Sequence, residues 1–322
     1  MCYSAEVWAG FRDYEREFGA ELSIRRYAAL FWQKNADGGW QKIPKAMRAS
    51  FRHPRGPEEM GLAKLVAEGD RTRADQLRKE ITEQSERLAD AQVVLDSPRP
   101  TKKAANEARI ATNKVQAAQR ALRVLERKTL EPNDARIYPG SYAPVLIAHE
   151  GRRILVPMRY QCRMPGWTEA VERKYPGSYN ARRDRLEASW GRLFGHQHGV
   201  IVADAVYENV WRHAAEGREL VPGEAPENVV LEFRPEPRQY MMIACLWSCT
   251  KGRAGEQDLY SFAAITDDPP PEVAAAGHDR FVIQIKPENL DAWLQPDPTN
   301  LSAQYAILDD RPRPYYEHRL AA

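Results

Sequence analysis

The chain has 322 residues, 43% hydrophobic and 29% charged, which is enough to bury a sizeable core without a disulfide or a structural metal. Its 47 Lys and Arg against 45 Asp and Glu leave a formal charge of +2; that excludes a histone-like basic tail and an acidic disordered activator but not a local basic groove. No uninterrupted apolar stretch approaches the roughly 18 residues of a membrane span, the start Met1–Glu6 does not read as a secretory signal, and four cysteines fit a reducing compartment, so a soluble cytoplasmic protein with no membrane contact is expected.

In chain order, residues 1–55 are rich in aromatics. Trp8, Phe11, Tyr14 and Phe18 recur at helical spacing, and Tyr27, Phe31 and Trp32 suggest a second short helix, followed by a turn at Asp37-Gly38-Gly39. The character changes at Pro54–Pro57. Leu77, Ile81, Gln84, Leu88, Ala91 and Leu95 form one seam with alternating steps of four and three; Ala104, Ala108, Ala111, Val115, Ala118, Leu122 and Leu125 form another. The proline-containing turn Ser97–Thr101 between them, with Thr101 as N-cap, predicts an inserted antiparallel helical hairpin over residues 56–131, an arm roughly 35 Å long. After Pro132 come strand candidates: Val145–Ala148, Arg153–Pro157, Gly199–Ala203, Val229–Phe233, Tyr240–Leu246, Tyr260–Thr266 and Phe281–Ile285. A short helix is expected over Pro287–Leu294 and a less ordered tail after Pro312. The fold class is α+β: a compact, mostly antiparallel, barrel-like sheet with flanking helices, built from residues 1–55 and 132–322 and interrupted by the hairpin.

Four constellations offer chemistry. Removal of Met1 would leave Cys2 with its α-amine and thiol on one residue. Such an aminothiol condenses with an aldehyde to a thiazolidine or serves as an acyl-transfer nucleophile; the plain alternative is an incidental cysteine. Asn180, Arg182, Arg183 and Arg185 combine an amide with three guanidinium groups that match phosphate geometry, or form a solvated loop. Glu208, beside Tyr207 and just after an apolar strand, suits a general acid or base with a raised pKa, or is an ordinary strand-end carboxylate. His278 can move protons near neutral pH, and Arg280 can reach a phosphate. His196 and His198 are two apart, and Cys245 and Cys249 four apart; neither pair has the spacing of a zinc site, and no phosphate or dinucleotide loop is present, so neither a metal nor a cofactor is expected.

In their order, Met1-Cys2, Asn180-Ala181-Arg182, Tyr207-Glu208 and His278-Asp279-Arg280 resemble the SOS response-associated peptidase (SRAP) family of abasic-site processing, DNA-crosslinking proteins. The likeness covers residues 1 to about 50 and about 135 to 295, including Pro157-Met158-Arg159 and Pro165-Gly166-Trp167. It implies that Cys2 forms a thiazolidine with the ring-opened deoxyribose, with Asn180 positioning its amine, Glu208 moving protons and His278 assisting ring opening. Arg182 and Arg280, with Arg183 and Arg185 nearby, would bind phosphates. The implied partner is single-stranded DNA carrying an abasic site, with a nucleoid-associated location when bound. The sequence departs from the family's usual Met-Cys-Gly-Arg start at Tyr3-Ser4, from a tryptophan at Asn209, from a Trp-Gly pair at Tyr160-Gln161, and from Met-Pro at Phe281-Val282. Asp184 stands where a glutamate is frequent.

Two other functions fit parts of this pattern. An N-terminal cysteine hydrolase, or self-processing peptidase, would use Cys2 without needing the arginines. A drifted scaffold would act as a binding module through its arm, whose second helix carries Lys102, Lys103, Arg109, Lys114, Arg120, Arg123, Arg127 and Lys128. That arm is expected to contact either DNA or a protein partner.

Overall fold

The structure is a computed structural model describing residues 4–253 and 256–321, so Cys2 lies outside the described residues. The chain divides into two units: residues 1–29, 42–50 and 132–322 belong to the first, and residues 30–41 and 51–131 to the second.

The first unit opens with strand β1 (Ser4–Val7), helix α1 (Phe11–Phe18) and strand β2 (Glu21–Leu22). Three of the four residues of the predicted aromatic stripe, Phe11, Tyr14 and Phe18, form the buried face of α1, whereas Trp8 precedes the helix and is half-buried; Gly19 ends the helix at φ +60°, a left-handed cap that glycine adopts without strain. Helix α2 (Ile24–Ala36) gives its first turns to this unit and its later turns to the second. Tyr27 and Phe31 are buried on it as the spacing suggests, whereas Trp32 is 57% exposed. A five-residue helix, α3 (Lys45–Ala49), completes the segment.

The second unit is dominated by α4 (Pro57–Leu95) and α5 (Lys102–Glu126). Every predicted seam residue is buried or half-buried along two otherwise largely exposed helices. Ala104, Ala111 and Ala118 are the buried positions of α5, which allows the helices to pack closely. The Thr101 side chain accepts the Ala104 N–H at 3.1 Å, capping α5 as the sequence predicts. Trp40 lies flat against Gly69 of α4, where a Cβ would fall 2.4 Å from the ring, and its indole N–H donates to Asp70 at 2.8 Å.

The chain then returns to the first unit with β3 (Arg136–Ile137), β4 (Tyr142–His149), β5 (Arg152–Tyr160), β6 (Asn180–Arg182), β7 (His198–Trp211), β8 (Asn228–Glu236), β9 (Met241–Thr250), β10 (Leu259–Asp267), β11 (Phe281–Val282) and β12 (Tyr315–Leu320). All twelve strands join one mostly antiparallel sheet. Within it β4, β5, β10, β9 and β7 close a partial ring. Two of its seams are short: β5 meets β10 in parallel at Arg159–Tyr160, and β4 meets β7 at Leu146 and Val200. The inward residues of this sheet form the core, among them Val145, Val156, Ile201, Phe233, Ile243 and Phe262. The architecture is therefore the expected α+β class, with a long helical hairpin.

Two expectations need correction. The tail after Pro312 is not loose: β12 pairs with β8 over six residues, from Tyr315 opposite Glu236 to Leu320 opposite Leu231. Tyr316 is buried there and Arg319 reaches Glu232 at 2.9 Å, so side chains on both faces of this charged segment find partners. The strand expected over Phe281–Ile285 ends at Val282, because the Ile283 backbone bridges two strands, donating to Ile265 of β10 and accepting from Ala244 of β9. No helix among the described residues is long and apolar enough to cross a membrane.

Candidate active site

The end of β10 organises the site. Thr266 pairs with Arg182 of β6 on one edge and with Val282 of β11 on the other. The Asn180–Arg182 run and the His278–Arg280 segment, about a hundred residues apart in sequence, therefore flank one strand end. Asn180 is 7% exposed, and its side-chain oxygen faces the Tyr160 hydroxyl at 3.5 Å.

Glu208 lies on β7 opposite Leu231, on the same face as Val206 and Val210. Those neighbours belong to the apolar core, and Glu208 is completely buried among them. A carboxylate in such a place is costly without a partner of opposite charge or a proton. His278 is that partner: its Nε2 lies 3.2 Å from Glu208 Oε2. Its Nδ1 lies 2.6 Å from the Arg280 carbonyl oxygen. A carbonyl oxygen only accepts, so Nδ1 carries a proton. Nε2 then faces Oε2 across the 3.2 Å contact, which sets a buried carboxyl against a ring nitrogen that can take or give a proton. Burial lowers the His278 pKa below the ordinary imidazole value, partly offset by the bond to Arg280. A buried carboxyl and imidazole in contact in this way are suited to general acid–base work.

The arginines sit at the same strand end in different states. Arg182 is exposed and holds Asp184 with two bonds, 2.7 and 3.0 Å. Arg182, Arg185 and Arg280 all lower the Asp184 pKa, with the Arg182 hydrogen bond as the largest cause. Arg182 and Arg185 thus contact Asp184, while Arg280 contacts Asp279. Arg183 points elsewhere: it bonds Asp309 at 2.6 Å and lies over the Tyr305 ring. The structure therefore brings Asn180, Arg182, Arg185, Glu208, His278 and Arg280 to one region and turns Arg183 toward the helix at Leu301–Asp309.

Strand β1 is fastened beside Glu208. Ser4 pairs with Tyr207 across the β1–β7 ladder. Arg136 donates to the Ser4 hydroxyl at 3.0 Å and lies 3.7 Å over the Tyr207 ring. The Tyr207 hydroxyl donates to Glu6 and Glu232, and Arg234 bridges the same two carboxylates. Burial, then the charges of Glu232 and Glu6, hold the tyrosine pKa well above the usual phenol value, so it stays a donor. The sequence reading missed this cluster, because its members come from four strands and share no local spacing. It also missed Tyr160 as a partner of Asn180. Next to Tyr160, Gln161 holds φ at 137°, a region that favours glycine.

Other nucleophile and ligand candidates are engaged. Cys162 and Cys245 are buried, and burial pushes both thiols up, Cys162 to about 12, which disfavours the reactive thiolate. His198 has both ring nitrogens occupied: Nε2 accepts the Gly195 N–H at 2.9 Å, and Nδ1 lies 3.0 Å from the Trp293 carbonyl.

Among solved structures, a protein from Bordetella bronchiseptica is similar at 20% identity and TM-score 0.45, over 58% of this chain and 87% of that one. A protein from Bacteroides thetaiotaomicron has 13% identity and TM-score 0.44, over 58% and 77%. A phage-related protein from Bordetella bronchiseptica has 17% identity and TM-score 0.43, over 61% and 85%. No curated protein matches. The sequence model of the SOS response associated peptidase (SRAP) family matches residues 103–320, from α5 through β12 and including every site residue above except those of β1. With most of its length matched in this way, the chain belongs to the SOS response associated peptidase family.

Proposed function

We propose that this protein captures abasic sites in single-stranded DNA, forming a covalent link through Cys2 once Met1 is removed. The observation that carries the reading is the buried Glu208–His278 pair, located where β1 begins and near Arg182, Arg185 and Arg280. Cys2 is two residues from Ser4, a tether of at most about 7 Å. The chemistry has two condensation steps. The Cys2 amine adds to the aldehyde carbon of the opened deoxyribose, giving a carbinolamine. A proton delivered from the pair lets its hydroxyl leave as water, and an imine forms. The Cys2 sulfur then bonds the imine carbon while the thiol proton passes to the nitrogen, closing a thiazolidine. One water is lost overall and no oxidant is consumed. Asn180, bonded through its oxygen to Tyr160, would position the amine; Arg182, Arg185 and Arg280 would take phosphates. Arg183 would act indirectly, by holding the helix at Leu301–Asp309 against the strand end.

An N-terminal cysteine hydrolase would use the same proton pair for acyl transfer, but it has no need of three cations beside the site. The test is a denaturing gel of the Met1-free protein with a single-stranded oligonucleotide bearing one abasic site. A heat-stable adduct that Cys2→Ala abolishes is expected. No adduct, with Met1 verified absent and the aldehyde intact, overturns the proposal.

A further inference from the structure

On α4, some exposed cations pair with nearby carboxylates, Arg78 with Asp75 and with Glu126 of α5, and Lys79 with Glu83, while Lys64 and Arg71 form no ion pair among the described residues. On α5 the two carboxylates, Glu107 and Glu126, lie near the alanine seam and are taken by Arg87 and Arg78 of α4. What remains on its outer side is cationic. At 100° per residue, Lys102, Arg109, Arg120 and Arg123 fall within one sector of roughly 60°, turned away from the Ala104–Leu125 seam. All four are exposed, and none forms an ion pair among the described residues. Arg109 is bonded only to the neutral Asn106. Asn113, Gln116 and Thr112 lie in or beside the same sector and add neutral hydrogen-bonding groups.

We infer that this stripe binds the phosphate backbone of duplex DNA, as a noncovalent surface separate from the proposed covalent site. Over 25 residues the helix extends about 37 Å, long enough to meet several successive phosphates. The stripe's chemistry fits a polyanion better than a protein. Protein interfaces are anchored by aromatic and large apolar residues; residues 61–130 contain no aromatic residue, and Val124 is the exposed large apolar side chain of α5 among the described residues. The same lack of aromatics removes the stacking platforms that single strands use and favours a duplex, read through its backbone without sequence preference.

The test uses the full chain carrying Cys2→Ala and a 30-base-pair duplex without a lesion, so the outcome is independent of covalent capture. Binding is followed by fluorescence anisotropy across a salt series. The variant Lys102→Gln, Arg109→Gln, Arg120→Gln, Arg123→Gln is compared with the parent. Each lost phosphate contact is expected to lower the log–log salt slope by about 0.9, up to roughly 3.6 for the four. Replacing the three arginines by lysine keeps the charge and should keep the slope. Lys79→Gln on α4 should change nothing. Circular dichroism verifies that helicity is equal in all variants. Unchanged slope and affinity in the fourfold variant overturn the inference; so does equally tight binding of a polyglutamate peptide, which would assign the stripe to an acidic protein.

Discussion

Glu208 is the residue at which stability and chemistry pull in opposite directions. It sits on a strand face between Val206 and Val210 and faces His278 Nε2 at 3.2 Å. Glu208→Gln keeps the shape and removes the ionisable group. The glutamine amide can donate to His278 Nε2 while Nδ1 still donates to the Arg280 carbonyl. The variant is expected to be as stable as the parent or more stable by about 1 kcal/mol, because a buried ionisable group is gone. Adduct formation is expected to slow by about 10²–10⁴, the usual worth of a general acid–base. Urea unfolding and a single-turnover crosslinking assay check both halves; loss of stability together with unchanged crosslinking would reverse the assignment. In the sequence, Glu208 and His278 were visible as separate signals, each read beside an apolar strand, although Glu208 lies inside β7 and not at its end. Their contact was not, because the ladder of β10 with β6 and β11, which sets that end of the sheet, is a tertiary fact. Arg183 shows the opposite limit. Its position in a triple-arginine run carries no sign that Asp309, 126 residues away, would take it.

At the scale of elements, the helices were the most legible because their apolar spacing is local. The α5 seam repeats without a break from Ala104 to Leu125, and Thr101 announces its start. What spacing could not show is why Gly69 stands inside α4. The reason is the Trp40 ring, which occupies the place of a Cβ. Gly69→Ala gains helix propensity, worth about 1 kcal/mol on an exposed surface, but forces a buried ring to move. Overpacking costs about 1–3 kcal/mol, so a net loss of up to about 2 kcal/mol is expected in thermal or urea unfolding, and a stabilised variant would refute the contact. The strands were legible where apolar residues run together and hidden where pairing is short or polar. The three residues of β6 and the charged β12 gave no period-two apolar pattern. They are strands because β10 and β8 offer them an open edge.

For the whole molecule, a buried histidine predicts the response to acid. Burial pushes His198 down to about 3, despite its bond to the Trp293 carbonyl. The unfolded chain protonates this ring near 6.5, so below that pH it binds a proton that the folded state refuses. The His198 contribution is therefore full above pH 6.5 and falls on acidification, by about 1.4 kcal/mol per pH unit within its window. For His198 that window extends from about 6.5 toward 3. Urea unfolding at pH 7, 6 and 5 should show this slope and His198→Gln should flatten it; a pH-independent midpoint in the parent would contradict it.

The order β1–β7–β8–β12 in the sheet has a practical consequence. Ser4 faces Tyr207, Tyr207 faces Glu232, and Glu232 faces Arg319, so both described ends of the chain lie on a single row across four strands. With neighbouring strands about 4.8 Å apart, that row is about 14 Å long. A short linker can bridge it, and the chain can be reopened at the exposed residues Pro98–Pro100 of the turn between α4 and α5. Such a circular permutant keeps every strand pairing while burying the second residue's amine in a peptide bond, and so separates the architecture of the protein from any reaction that depends on a free amino terminus.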